Sequence, residues 1–207
     1  MTLVALLDYA AVAVFALTGA LVASRAQLDI VGFVFVACLT AVGGGTIRDV
    51  VLNRETVFWV AEPAHIAVAS TAAILVFFTA HLLESRMRAI LWLDACALAV
   101  AVPAGTGVAL ALDHHPTIVL IMGVATGCFG GLMRDVVCNE VPLVLRQGEL
   151  YVTAAFAGAG AALLGGLAGM TTPGALVLCA GVTFALRAGS LAFGWRLPVY
   201  KARPPRP

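Results

Sequence analysis

The segment Gly43-Gly44-Gly45-Thr46-Ile47-Arg48-Asp49-Val50-Val51 constrains this chain more than any other. Three consecutive glycines interrupt an apolar run, and an arginine and an aspartate follow at once. Each glycine weakens a helix by roughly 1 kcal/mol relative to alanine. A charge near a bilayer centre costs about 2.5–3.5 kcal/mol on insertion scales. A plain spanning helix has no use for either, so the segment marks a working part of the molecule.

The pattern occurs twice. Gly130-Gly131-Leu132-Met133-Arg134-Asp135-Val136-Val137 repeats it 86 residues later, with Arg48 meeting Arg134. At the same offset Asp8 meets Asp94, Gly19 meets Gly105, Gly44 meets Gly130, Gly45 meets Gly131, Asp49 meets Asp135 and Asn53 meets Asn139. Matches of this kind at one offset indicate an internal duplication.

The surroundings of both segments are membrane-like. The chain is 62% hydrophobic and 11% charged, against about 25% charged in a soluble domain. Seven apolar runs of spanning length follow one another: 3–23, 30–52, 64–83, 89–112, 117–138, 150–167 and 173–193. The N-terminus lacks a basic region, so the first run reads as a span rather than a cleaved signal. Phe58 and Trp59, in the link after span 2, read as interface anchors. No basic stretch interleaved with aromatics points to nucleic acid. The five cysteines, Cys38, Cys96, Cys128, Cys138 and Cys179, form no C-x-x-C pair and read as small core residues rather than metal ligands. His114-His115 reads as a solvated turn.

The expected fold is therefore an all-α membrane protein of seven transmembrane helices, arranged as three, three and one. A repeat with an odd number of spans inserts its second copy upside down, about an axis in the membrane plane. The expected units are 1–88 for the first three-helix repeat, 89–170 for the inverted second, 171–195 for the seventh helix and 196–207 for a basic, disordered tail. Arg25, Arg86, Arg88, Arg146, Arg196, Lys201, Arg203 and Arg206 fall on one side and Arg54 on the other. The positive-inside rule puts the C-terminus in the cytoplasm and the N-terminus outside.

On that topology Asp8, Arg48 and Asp49 gather toward the outer side, and Asp94, Arg134 and Asp135 toward the inner. Neighbours on a helix point about 100° apart, so Arg48 is expected to pair with Asp8 rather than Asp49, and Arg134 with Asp94. Each cluster then carries a formal charge of −1, which favours cations. The alternative is that these are structural ion pairs locking helices together. The glycines likewise have two readings. Gly43, Gly44 and Gly45 in span 2, with Gly127, Gly130 and Gly131 in span 5, kink the helices and free carbonyls for an ion, or they let helices pack closely. Gly158, Gly160, Gly165, Gly166 and Gly169 read as packing residues, and Arg187 in span 7 as snorkelling to the cytoplasm.

At these residues the chain resembles the prokaryotic trimeric intracellular cation (TRIC) channels. GGGTIRDV in span 2, GGLMRDVV in span 5 and the three-plus-three-plus-one plan carry the resemblance, over about residues 3–195. It implies a homotrimer in a bacterial inner membrane, with one pore in each protomer beside glycine-kinked spans 2 and 5 and spans 1 and 4. It implies passage of monovalent cations, chiefly potassium, and no enzyme activity. Thr18 and Thr46 join Asp8, Arg48, Asp49, Asp94, Arg134 and Asp135 as residues of the implied ion path. No cofactor or metal is implied beyond permeant potassium or sodium and a bound lipid. Animal members place a Lys-Glu-Val triplet where Arg134-Asp135-Val136 stands here, so lysine-dependent lipid or calcium control does not carry over. The residues also suit a secondary transporter for a small solute such as glycine, since inverted repeats and broken helices serve both. An intramembrane aspartyl protease fits poorly, because an arginine beside each aspartate keeps it ionised.

Overall fold

The computed structural model describes residues 3–83 and 85–200. Eight α-helices follow in order: α1 Leu3–Arg25, α2 Ile30–Val51, α3 Phe58–Ala61, α4 Ala64–Thr79, α5 Arg86–Ala111, α6 Pro116–Val137, α7 Val152–Leu167 and α8 Thr172–Phe193. Six segments are long and apolar enough to cross a membrane: α1, α2, α4 with its 3-10 extension to Leu82, α5, α6 and α8. The expected sixth span is shorter than the others. α7 has 16 residues, or about 24 Å at 1.5 Å per residue, because the chain at Glu149–Tyr151 is drawn into other contacts.

The helix ends are written locally. Asp29 accepts a hydrogen bond from the Gly32 N–H at 2.8 Å and starts α2. Ser85 accepts from the Arg88 N–H at 3.3 Å and starts α5, and Pro116 occupies the first turn of α6. Among the described residues, four non-glycine residues have positive φ: Gln27, Asn53, Asp113 and Asn139. They are two pairs at the 86-residue offset, each stopping a helix in a left-handed turn. α2 and α6 correspond end for end, Ile30 with Pro116 and Val51 with Val137. The duplication therefore extends from side chains to backbone.

α1, α2, α5 and α6 form the centre. α1 packs on α5, α2 and α4; α5 packs on α6 and α8; α2 packs on α6; and α7 packs on α8. α5 is the most enclosed of the spans. It stays helical through Pro103.

The glycine segments are unbroken. α2 is helical through Gly43, Gly44 and Gly45, and α6 through Gly127, Gly130 and Gly131, so no free carbonyls open there. What the glycines provide is proximity. A Cβ on Gly44 would overlap the Thr126 carbonyl oxygen, and one on Gly130 would overlap the Thr40 carbonyl oxygen. Thr40 and Thr126 are themselves equivalent at the repeat offset. The contact is thus reciprocal, residue i of one helix on j of the other and the reverse, as in a two-fold interface. Within each half, Gly19 lies against the Thr40 hydroxyl and Gly105 against the Thr126 hydroxyl, packing α1 on α2 and α5 on α6.

The start of the expected tail is tethered: the backbones of Arg196 and Glu149 form an isolated antiparallel β-bridge, and the Leu197 N–H donates to the Gly148 carbonyl at 2.8 Å. The remainder, 201–207, lies outside the described residues.

Candidate functional site

Two charged clusters sit at the ends of α2 and α6. In the first, Arg48 is fully buried. Its Nη1 donates to Asp8 Oδ1 at 2.8 Å and its Nε to Asp49 Oδ1 at 2.7 Å. Its guanidinium also lies over the Phe58 ring, 5.3 Å from the centroid. Asp49 Oδ2 accepts the Phe58 N–H at 2.8 Å, which ties the chain after α2 back onto that helix. The second cluster repeats the scheme. Arg134 Nη1 donates to Asp94 Oδ1 at 3.1 Å and its Nε to Asp135 Oδ1 at 2.7 Å. Asp135 Oδ2 accepts the Leu143 N–H at 2.8 Å.

Asp8 and Asp94 are thus the arginines' partners across helices, as the sequence leads one to expect. The neighbouring aspartates are partners too, against expectation. The 100° between adjacent positions describes Cβ directions, and a guanidinium on a four-atom stem reaches round that angle. The charge of the first cluster also differs. Arg54 Nη1 lies 3.2 and 3.3 Å from the two Asp49 oxygens, which brings that cluster from −1 to neutral. The second cluster remains at −1.

Burial separates the two clusters. The Asp94 and Arg134 side chains are wholly enclosed, whereas that of Asp8 is 13% exposed. Arg48 Nη2, Arg134 Nη2 and Asp94 Oδ2 are buried with no hydrogen-bond partner among the described residues. Asp8 faces a cavity of about 520 Å³ whose lining includes Arg54, Phe58, Glu62 and His65. A separate void of about 10 Å³, which shares Asp8 and Phe58 in its lining, lies among α1, α2, α5 and α6, the room of about one water molecule. Phe15, Thr40, Gly44, Ala101 and Thr126 line it. Phe15 and Ala101 are repeat equivalents, so the second half offers a methyl where the first offers a ring.

Thr18 and Thr46 turn their hydroxyls onto their own helices. Thr18 donates to the Phe15 carbonyl at 2.8 Å and Thr46 to the Val42 carbonyl at 2.7 Å. The Thr46 hydroxyl also accepts the indole N–H of Trp59 at 2.9 Å. Phe58, expected at the membrane interface, is buried beneath Arg48. Arg187 does not snorkel. It is fully buried, lies over the Tyr151 ring at 4.9 Å and donates to Glu149 Oε2 at 2.7 Å. Thr40 and Thr126 were not singled out from sequence, although both being threonine at the 86-residue offset was a signal in plain view. No cluster of three or more metal-ligating side chains occurs among the described residues.

Comparisons with known proteins agree with this architecture. A family model described as Glycine transporter matches the chain twice, over residues 5–81 and 91–166, one match to each half. The UPF0126 inner membrane protein YadS of Escherichia coli (strain K12) is 41% identical over 156 residues, 73% of each chain. A UPF0126 membrane protein of Vibrio cholerae is 36% identical over 204 residues, 96% of this chain and 83% of that one. The solved TRIC trimeric intracellular cation channel orthologue from Rhodobacter sphaeroides is 44% identical, with a TM-score of 0.90 over 94% of this chain and all of that one. A second solved TRIC cation channel is 26% identical at a TM-score of 0.86. Matched by the family model over both halves and by solved members over nearly its whole length, this chain belongs to the prokaryotic TRIC family.

Proposed function

We propose that the protein is a monovalent cation channel, passing chiefly potassium, with one path inside each protomer of a homotrimer. The observation that carries this reading is the small void among α1, α2, α5 and α6, which shares Asp8 and Phe58 in its lining with the large Asp8 cavity. A path that narrows to one water between two buried acid–arginine clusters is what a closed cation channel requires. Asp8 and Asp94 are its charged ends. Asp49 and Asp135 act by holding the arginines and the following loops. The glycines bring α2 and α6 together and are where the two helices bend on opening. The solved relatives named as TRIC cation channels support ion conduction, and the family is one of channels rather than enzymes.

In this reading the chain is two inverted three-helix repeats, 1–88 and 89–170, followed by a seventh helix, 171–195. The reciprocal glycine contacts between α2 and α6 support that arrangement. The protein lies in the bacterial inner membrane, like the relative so named, with the Asp8 end outside and the C-terminus in the cytoplasm.

Planar-bilayer recording of the purified protein in asymmetric potassium chloride, with and without glycine, tests the proposal. Discrete current steps reversing near the potassium potential are expected, unaffected by glycine. Electrical silence together with saturable glycine uptake into proteoliposomes would overturn it.

A further inference from the structure

Arg54 and Glu140 hold the same place in the two halves. Each follows an asparagine of positive φ. The Arg54 N–H donates to the Asp49 carbonyl at 3.0 Å, and the Glu140 N–H to the Asp135 carbonyl at 2.8 Å. The backbones match and the side chains do not. Glu140 turns away from its cluster and accepts from Arg25 Nε at 3.0 Å. Arg54 turns inward and bridges both Asp49 oxygens.

That bridge is surplus to the fold. Asp49 already accepts Arg48 Nε and the Phe58 N–H. Asp135, in the equivalent place, is held by the corresponding two bonds, from Arg134 Nε and the Leu143 N–H. What Arg54 adds is a positive charge at a mouth. Its side chain is 37% exposed and lines the cavity of about 520 Å³ beside Asp8, Glu62 and His65.

We infer that Arg54 limits cation entry at the Asp8 mouth by opposing the attraction of Asp8 and Glu62; the inference rests on the channel reading above. Asp8 and Arg54 line the same cavity, so a cation drawn to Asp8 also meets the field of the Arg54 guanidinium. In water, one elementary charge at a separation of about 7 Å changes the local cation concentration by about two- to threefold at low ionic strength. Salt screens this, with a Debye length of about 3 Å at 1 M. The signature of the role is therefore a salt-dependent conductance.

The test compares unitary currents of wild type, Arg54→Gln and Arg54→Lys, as full-length protein in planar bilayers at low and high potassium chloride. Arg54→Gln is expected to raise conductance about two- to threefold at low salt, with the gain vanishing near 1 M. Arg54→Lys keeps the charge and should stay near wild type, and both variants should unfold at the wild-type temperature. Four results would overturn the inference: unchanged conductance in Arg54→Gln beside a conducting wild type, an equal gain at both salt concentrations, a lysine variant that behaves like the glutamine one, or loss of folded Arg54→Gln protein. A wild type that carries no current at all removes the channel reading itself, and this inference with it.

Discussion

Asp94 and Asp8 make the same bond to equivalent arginines, yet their surroundings set different energetic stakes. Asp94 and Arg134 are wholly enclosed, so removing the Asp94 charge breaks a bond that water cannot replace, although Arg134 keeps its bond to Asp135. Breaking a buried pair typically costs about 3–5 kcal/mol. Asp8 borders a cavity and is 13% exposed, so solvent screens its bond to Arg48 and the loss there is smaller. Asp94→Asn should therefore lower the thermal unfolding midpoint in detergent well below that of Asp8→Asn; equal losses would contradict the difference in burial. The cross-helix partners of both arginines were legible in the sequence, because the duplicated offset named them twice. The bonds to Asp49 and Asp135 were not, since helical angle alone ignores the reach of an arginine. Arg54 was legible only as a charge outside a span. Its turn inward was not legible, because the left-handed turn at Asn53 recurs at Asn139, where Glu140 turns away.

At the scale of the element, glycine content announced that α2 and α6 were unusual but did not decide between bending and packing. Helical propensity is a property of one chain, whereas close approach needs the partner's position. The partner here is a carbonyl of the other helix, which cannot swing aside as a side chain can. Gly44→Ala or Gly130→Ala must push the backbones apart, at about 1–3 kcal/mol by analogy with overpacked cores. Gly166→Ala in α7 is the control, because a Cβ there meets nothing within 4 Å. Unfolding midpoints should fall for the first two and hold or rise for the third, where alanine is the better helix former. A neutral Gly44→Ala would mean that the α2–α6 crossing is looser than its geometry. The short α7 escaped the sequence reading for a related reason. Its apolar run is long enough on hydropathy, but Leu150 and Tyr151 are spent on contacts: the Leu150 N–H donates to Ser190 Oγ at 3.2 Å, and Tyr151 lies beneath Arg187.

At the scale of the whole molecule, the two copies meet along α1 with α5 and α2 with α6. The α2–α6 crossing uses the same glycine and threonine positions in both directions. Recognition between the halves is thus a property of their surfaces and owes little to the peptide that joins them. A gene cut after Leu83 should yield two polypeptides that find each other in the membrane. Co-expressed with separate affinity tags, they should copurify as a stoichiometric complex, whereas either piece alone should be degraded. Failure to copurify would assign the joining peptide an indispensable part in assembly. Success would mean that the modern chain still carries, inside one reading frame, the self-association of a once-separate ancestor.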